Sequence, residues 1–183
     1  MGMPALSVYV TAAELLAMPE TSGRRETVHG ELLVTPAPRK AHQRVVWRMA
    51  FALEPYVLTW GLGELFASPL DLVFGPDSVV QPDLVVLRRG VEDTEPTDLS
   101  AALLVVEVLS PGTARQDRFA KRRLYQEADV PLYWIVDTEA QAIEVWTPDA
   151  VFPQVEHGHV VWHPAGAAEP FTLECAELFR PPR

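Results

Sequence analysis

Residues 103–110 read LLVVEVLS: six apolar residues enclose one carboxylate, Glu107, before a turn begins at Ser110. A run of this length predicts a strand covered on both faces. Two similar stretches precede it, GELFASPLDLVF over 63–74 and VVQPDLVVL over 79–87, each predicting a further strand. In the second, Pro82 donates no hydrogen bond and holds Gln81 extended, which marks a strand start or a distortion. Downstream, SPG is followed by a helix to about residue 129 and then by the strand PLYWIVD. Strand, helix and strand in that order predict a right-handed crossover, with the strands ending at Leu109 and Val136 parallel.

The flanking elements follow from the same kind of pattern. Thr11 and Glu14 have the T-x-x-E spacing of a capping box, and ETVHGELLVT predicts a hairpin turning near Gly30. AHQRVVWRMAFALEPYVLTWG reads as an amphipathic helix with Val45, Val46, Met49, Ala52, Leu53 and Tyr56 as its apolar stripe. Pro55 disturbs its end, and Gly61 or Gly63 stops it. Thr113 and Gln116 repeat the capping-box spacing at the second helix. AIEVWTP, AVFPQVEHGHVVWH and FTLECAELF complete the chain as short strands and a terminal turn. The expected fold is α/β with α+β character: a central mixed β-sheet flanked by helices, one domain spanning 1–183.

Three charged residues stand where this pattern reserves apolar ones. A lone ionised Glu107 in its strand faces a pKa displacement of roughly 3–5 units, at about 1.4 kcal/mol per unit. Asp83 begins the apolar run LVVL. On the second helix, Ala114, Asp117, Lys121, Leu124 and Ala128 recur at spacings of three and four, so Lys121 and Asp117 lean toward the sheet with Leu124. Phe119 falls off that stripe. Sequential strands are usually neighbours, which sets Asp83 beside Glu107 with Lys121 delivered over the strand end. Two adjacent carboxylates repel unless a cation or a proton intervenes. Mg²⁺ suits such oxygen ligands. It would polarise a phosphoryl oxygen and acidify a water, while a nearby lysine orients that water or stabilises the phosphoryl charge. A structural ion-pair network accounts for the same three charges, and spacing alone leaves both readings open.

Composition adds limits. With 48% hydrophobic and 22% charged residues the chain is globular, and no apolar run approaches the roughly 20 residues of a membrane helix. The N-terminus lacks the basic start and apolar stretch of a secretory signal, and Gly2 lacks the usual myristoylation context, so the cytoplasm is the expected compartment. The single Cys175 excludes an intramolecular disulfide and reads as a buried structural thiol. A net charge of −10 argues against nucleic acid as a partner, but the distribution argues the other way. Windows 24–48 and 113–123 hold 11 of the 15 basic residues and sum to +8, leaving −18 elsewhere. Brought together by the fold, they would form one basic surface; apart, they are two solvated faces. His157, His159 and His163 share strand parity but read as a half-exposed hairpin rather than a metal site. Trp146, Phe152, Trp162, Phe171 and Phe179 serve either core packing or a homodimer surface.

VVQPDLVVL together with LLVVEVLSPGTARQDRFAKRRLYQEADVPLYWIVD closely resembles the Uma-type family of endonucleases, a bacterial branch of the PD-(D/E)xK nuclease superfamily. ETVHGELLVTPAPRKAHQRVV resembles that family's opening hairpin and its Pro-x-x-x-x-His segment, and the likeness runs from about Thr11 to Phe179. It implies a restriction-endonuclease-like fold and Mg²⁺- or Mn²⁺-dependent cleavage of phosphodiester bonds, with DNA as the expected substrate. Carried over by position, Asp83 and Glu107 would hold the metal. The superfamily's lysine stands two residues after the acid, where this chain has Leu109; the family places it on the following helix, where Lys121 lies. Glu31, slightly preferred over Glu26, is the candidate for a further acidic position, and His42 for a place near the scissile phosphate. His29 replaces the aspartate that often precedes the hairpin glycine in similar sequences. The alternative is a catalytically inactive module on this fold that binds nucleic acid or protein.

Overall fold

A computed structural model of the chain describes residues 9–19, 23–35, 37–91 and 96–181. Gly2 and the rest of the segment before Tyr9, Pro36 of the PAPRK loop and residues 92–95 of the acidic loop lie outside the described residues. The first half contains α1 (Ala12–Leu16), β1 (Arg24–Val28), β2 (Glu31–Thr35), α2 (Lys40–Thr59), β3 (Gly63–Ala67), β4 (Leu72–Phe74), β5 (Ser78–Val80) and β6 (Leu84–Arg88). The second contains β7 (Thr97–Asp98), β8 (Ala102–Val108), α3 (Arg122–Glu127), β9 (Tyr133–Asp137) and β10 (Ala142–Trp146). It ends with β11 (Gln154–Glu156), β12 (His159–Trp162), β13 (Phe171–Glu174) and α4 (Cys175–Phe179). A π-helical turn over Gln116–Lys121 leads directly into α3.

The single expected sheet is divided, and prolines explain where. GELFASPLDLVF breaks into β3 and β4 around Pro69, and VVQPDLVVL into β5 and β6 around Pro82, because neither proline can donate to a ladder. The halves join different sheets: a six-stranded one in the order β11-β10-β9-β8-β6-β3 and a five-stranded one in the order β2-β1-β5-β4-β7. The hairpin β12-β13 is a third, small sheet. Within the six-stranded sheet β8 and β9 are parallel, as the crossover requires, while β6 runs antiparallel to β8.

Period-two alternation places the two cores. Leu84, Val86, Leu104, Val106 and Val108 face α2, where Val45, Met49, Leu53 and Val57 are buried with the β12-β13 hairpin and α4. Each fully buried side chain of this kind contributes about 1.5–3 kcal/mol. Val85, Leu87 and Val105 face the other way, packing with Val28, Leu33, Leu72 and Val80 of the five-stranded sheet, with Leu124 and Tyr125 of α3 and with Ala128 just after it. Glu107 has the parity of Val105 and therefore points into this second layer.

Local expectations are met unevenly. Thr11 and Glu14 form the capping box, with Thr11 N–H donating to Glu14 at 2.8 Å and Glu14 N–H to Thr11 at 3.2 Å. His29 and Gly30 both have positive φ, the condition for a two-residue turn that matches strand twist. Pro55 stands inside α2 on its exposed face rather than at its end. Thr113 does not cap toward Gln116; its hydroxyl turns back to accept from Ser110 N–H at 3.3 Å. The side chains of His157, His159 and His163 are exposed. Trp146, Trp162 and Phe171 are buried, whereas Phe152 is exposed. Among the described residues, no helix is long and apolar enough to cross a membrane.

Gly63 pairs with Arg88 where β3 meets β6, and a Cβ there would lie 1.8 Å from the Leu87 carbonyl oxygen. Backbone cannot yield by that amount, so Gly63→Ala is expected to lower stability by more than about 2 kcal/mol in a denaturant titration.

Candidate active site

The break at Pro82 leaves Gln81 and Asp83 at the seam between the two sheets. Gln81 N–H donates to Glu26 Oε1 at 2.7 Å, and its carbonyl accepts from Arg24 Nη1 at 2.8 Å. Asp83 then stands across from Glu107, one step beyond the Leu84–Val106 pair of the β6-β8 ladder. Its Oδ2 accepts from Val108 N–H at 2.8 Å and lies 3.0 Å from His42 Nε2, while Oδ1 is 3.2 Å from Arg24 Nη1. Burial works to raise the Asp83 pKa, but His42, Arg24 and the Val108 N–H outweigh it and hold the carboxyl below its ordinary range.

Behind Asp83 lies a second group. Lys121 Nζ is 2.8 Å from both Glu26 Oε1 and Glu107 Oε1, and 3.6 Å from Asp117 Oδ1. The Tyr125 hydroxyl donates to Glu107 Oε1 at 3.1 Å, and the Tyr133 hydroxyl to the Asp117 carbonyl at 3.1 Å. Glu26, Glu107, Asp117 and Lys121 are each 1–2% exposed. Burial opposes the Lys121 charge, yet Glu107, Glu26 and Asp117 overcome it and hold the ammonium protonated. Burial pushes Glu107 up to about 8 despite Lys121, with Asp117 and Asp83 adding to the rise. Asp117 is likewise raised, chiefly by burial.

With all four carboxylates ionised, Glu26, Asp83, Glu107 and Asp117 exceed Arg24 and Lys121 by two negative charges. A buried excess of that size requires protons or a cation. Glu26 Oε2 and Asp117 Oδ1 are buried without a hydrogen-bond partner. Donor type and charge excess thus fit a hard divalent ion. Among the described residues, however, no three carboxylate, imidazole or thiol groups are arranged to hold one. Lys121 fills the space between Glu26 and Glu107, and both oxygens of Asp83 are engaged.

A cleft of about 930 Å³ opens beside this cluster. Asp83, His42 and Arg24 line it together with Arg25 and Arg39, whereas Glu107, Glu26 and Lys121 do not. Asp83, Glu107, Lys121 and His42 are therefore brought together, in two connected layers. Glu31 is not: it is exposed beside the hairpin turn, and Glu26 holds the interior position. The register Glu26↔Leu33 and Val28↔Glu31 puts both glutamates on one face, so parity does not separate them. Position along the hairpin does, since Glu26 is mid-strand and Glu31 adjoins the turn. Sequence reasoning also missed the roles of Arg24 and Tyr125, whose charge and apolar ring fitted a basic window and a packing helix equally well. His29, at the turn, pairs instead with Glu127 at 3.2 Å.

A mixed sheet with paired acids at adjacent strand ends and a crossover helix above them defines the restriction-endonuclease-like class of fold. The chain belongs to the Uma2 family, described as "Putative restriction endonuclease", which matches residues 12–170. A crystal structure of a "putative nuclease belonging to DUF820" from Anabaena variabilis ATCC 29413 shares the fold at a TM-score of 0.78 and 24% identity, over 93% of this chain and 97% of that one. No functionally curated protein matches the chain significantly.

Two outcomes follow for the metal-free protein. A carboxyl whose pKa rises on folding, from 4.5 to about 8 for Glu107, stabilises most fully below the lower value and ceases to do so as pH climbs through the higher one. The unfolding free energy in chelator, from denaturant titrations, is expected to fall between pH 5 and 8 by up to about 1.4 kcal/mol per pH unit, and Glu107→Gln to flatten the profile. Lys121→Met strands three buried carboxylates and is expected to cost about 3–5 kcal/mol; adding Glu26→Gln should return part of that in the same unfolding assay.

Proposed function

We propose that this protein is an endonuclease that hydrolyses phosphodiester bonds of DNA with the help of Mg²⁺ or Mn²⁺. The observation that carries this reading is the juxtaposition of Asp83 and Glu107 across the β6-β8 ladder, with Asp83 lining a cleft that arginines share and Lys121 hydrogen-bonded to the deeper acid. Asp83 and Glu107 would hold the ion, with Glu26 as a further oxygen donor within reach of the same ammonium. The ion would supply polarisation of a phosphoryl oxygen and a more acidic water.

The chain's own groups do the rest. Arg39 presents its guanidinium fork to the phosphates of a strand in the cleft, beside Arg24, which is bonded to Asp83 and Gln81, and Arg25, which is bonded to Met18 and Pro19. His42 lines the cleft and, through Nε2 on Asp83 Oδ2, is the imidazole placed to fix the orientation of that carboxylate, its Nδ1 being buried. Lys121, kept protonated by its three carboxylates, orients the Glu107 carboxylate from behind the cleft wall. Tyr125, whose phenol burial holds well above its ordinary pKa, remains a donor and fixes the Glu107 oxygen it shares with Lys121.

One observation favours a second reading, a binding module that does not cut. Both Asp83 oxygens are already paired, and the ammonium closes the deeper acids without any metal. Such a module would bind DNA in chelator with unchanged affinity in Glu107→Gln.

Supercoiled plasmid incubated with the purified protein and Mn²⁺ or Mg²⁺ separates the two. Nicking is expected, abolished by chelator and reduced at least about 100-fold in Asp83→Asn and in Glu107→Gln, with folding of each variant checked by circular dichroism. Equal cleavage by wild type and both variants would defeat the nuclease assignment.

A further inference from the structure

Beyond Arg39, one wall of the cleft plays no part in the chemistry above. Along α2 and its cap, Arg39, Gln43, Trp47 and Phe51 recur every fourth residue, about 6 Å apart along the axis, and so form one stripe. Trp47 and Phe51 are 58% and 72% exposed. Their ring centroids are 5.6 Å apart with planes inclined by 31°. Arg39, Gln43 and Trp47 line the same cleft as Arg24 and Asp83. The stripe thus runs from a cation through an amide to an aromatic face, and then to a second aromatic just beyond.

That order matches the parts of a nucleotide: phosphate, base edge and base face. Arginine serves phosphate in any nucleic acid, but an aromatic face serves a base only when that base is unstacked. In an intact duplex the base faces are hidden, and exposed rings beside the cleft would have nothing to meet. We propose that Trp47 and Phe51 form a stacking platform for unpaired bases, so that the DNA cut here carries a single-stranded segment at the cleft. The platform rests on the nuclease reading and narrows its substrate class to overhangs, flaps or melted strands.

Trp47 supplies its own signal. Trp134, Trp146 and Trp162 are buried and Trp60 is half-buried, which leaves Trp47 as the exposed indole. The full chain, in chelator at low salt, is titrated with a short oligo-dT and with a duplex of equal length while tryptophan emission and affinity are followed. The single strand is expected to quench emission and the duplex to do so far less. Trp47→Ala should weaken single-strand binding about ten-fold or more, and Trp47→Phe by no more than about three-fold, because a phenyl ring still stacks. Unchanged single-strand affinity in Trp47→Ala, with plasmid cleavage intact, overturns the platform and leaves the nuclease reading standing. Absence of both binding and cleavage in the wild type removes both. An emission change that instead follows protein concentration without DNA, alongside dimers in sedimentation, assigns the rings to a second copy of the chain and overturns the platform too.

Discussion

A single buried ammonium organises the centre of this molecule. Lys121 arrives on the crossover segment between β8 and β9 and meets Glu26 from the opening hairpin, Glu107 from the central sheet and Asp117 from its own turn. Three elements distant in sequence are tied through one charge. Such an arrangement is poor as a source of net stability, since desolvation offsets most of the attraction. Its effect is to fix geometry, because a carboxylate displaced from the cation becomes an unpaired buried charge. The hairpin therefore docks against the central sheet at one position along its length, and Asp83 and Glu107 are held side by side as a consequence.

The backbone prepares that meeting point. Pro82 ends one strand and lets the next begin in another sheet, freeing Gln81 N–H for Glu26 and the Gln81 carbonyl for Arg24. In an unbroken strand both groups would belong to a ladder. The π-helical turn contributes a second irregularity: its wider loop turns Asp117 and Lys121 inward ahead of Leu124 and Tyr125, so charge and apolar packing share one short segment. Asp117 then lies close enough to Lys121 to bias it, while the Tyr133 phenol caps the carbonyl of the same residue. The irregular points of the chain coincide with the charged ones.

The sequence made the inner layer readable because charge out of pattern is conspicuous in apolar runs. Glu107 stands out in LLVVEVLS, and the helical stripe that placed Lys121 beside Leu124 holds in the structure, where both are buried. The parallel β8–β9 pair followed from crossover geometry and is observed. Glu26 was less readable. In a five-residue hairpin strand, polar and apolar positions do not reveal which end will be covered, and the covering element is remote in sequence. Division of the sheet was also hidden, although both prolines were visible, because a proline says that a ladder stops and not where the chain goes next. Phe119 lay off the stripe and is 64% exposed.

The cleft also gives a meaning to the uneven charge of the chain. Of the basic residues concentrated in two windows, Lys121 and Arg24 are committed to the buried carboxylates, Arg118 to Asp137 and Glu144, and Arg123 to Glu127. Arg122 lies over the Trp146 ring at 4.8 Å and bonds Gln126. Four of the eleven are thus paired with carboxylates, and of the eleven only Lys121 is buried, so the windows carry less free charge than their sum suggests. Arg39 and Arg25 line the cleft, the latter with its guanidinium bonded to Met18 and Pro19, beside a guanidinium that is shared with Asp83. With an acidic exterior beyond, attraction for a polyanion is local to that opening, and repulsion elsewhere disfavours extended contact. A short stretch of strand, held at few phosphates and gripped by its bases, suits that field better than a long duplex lying across the molecule.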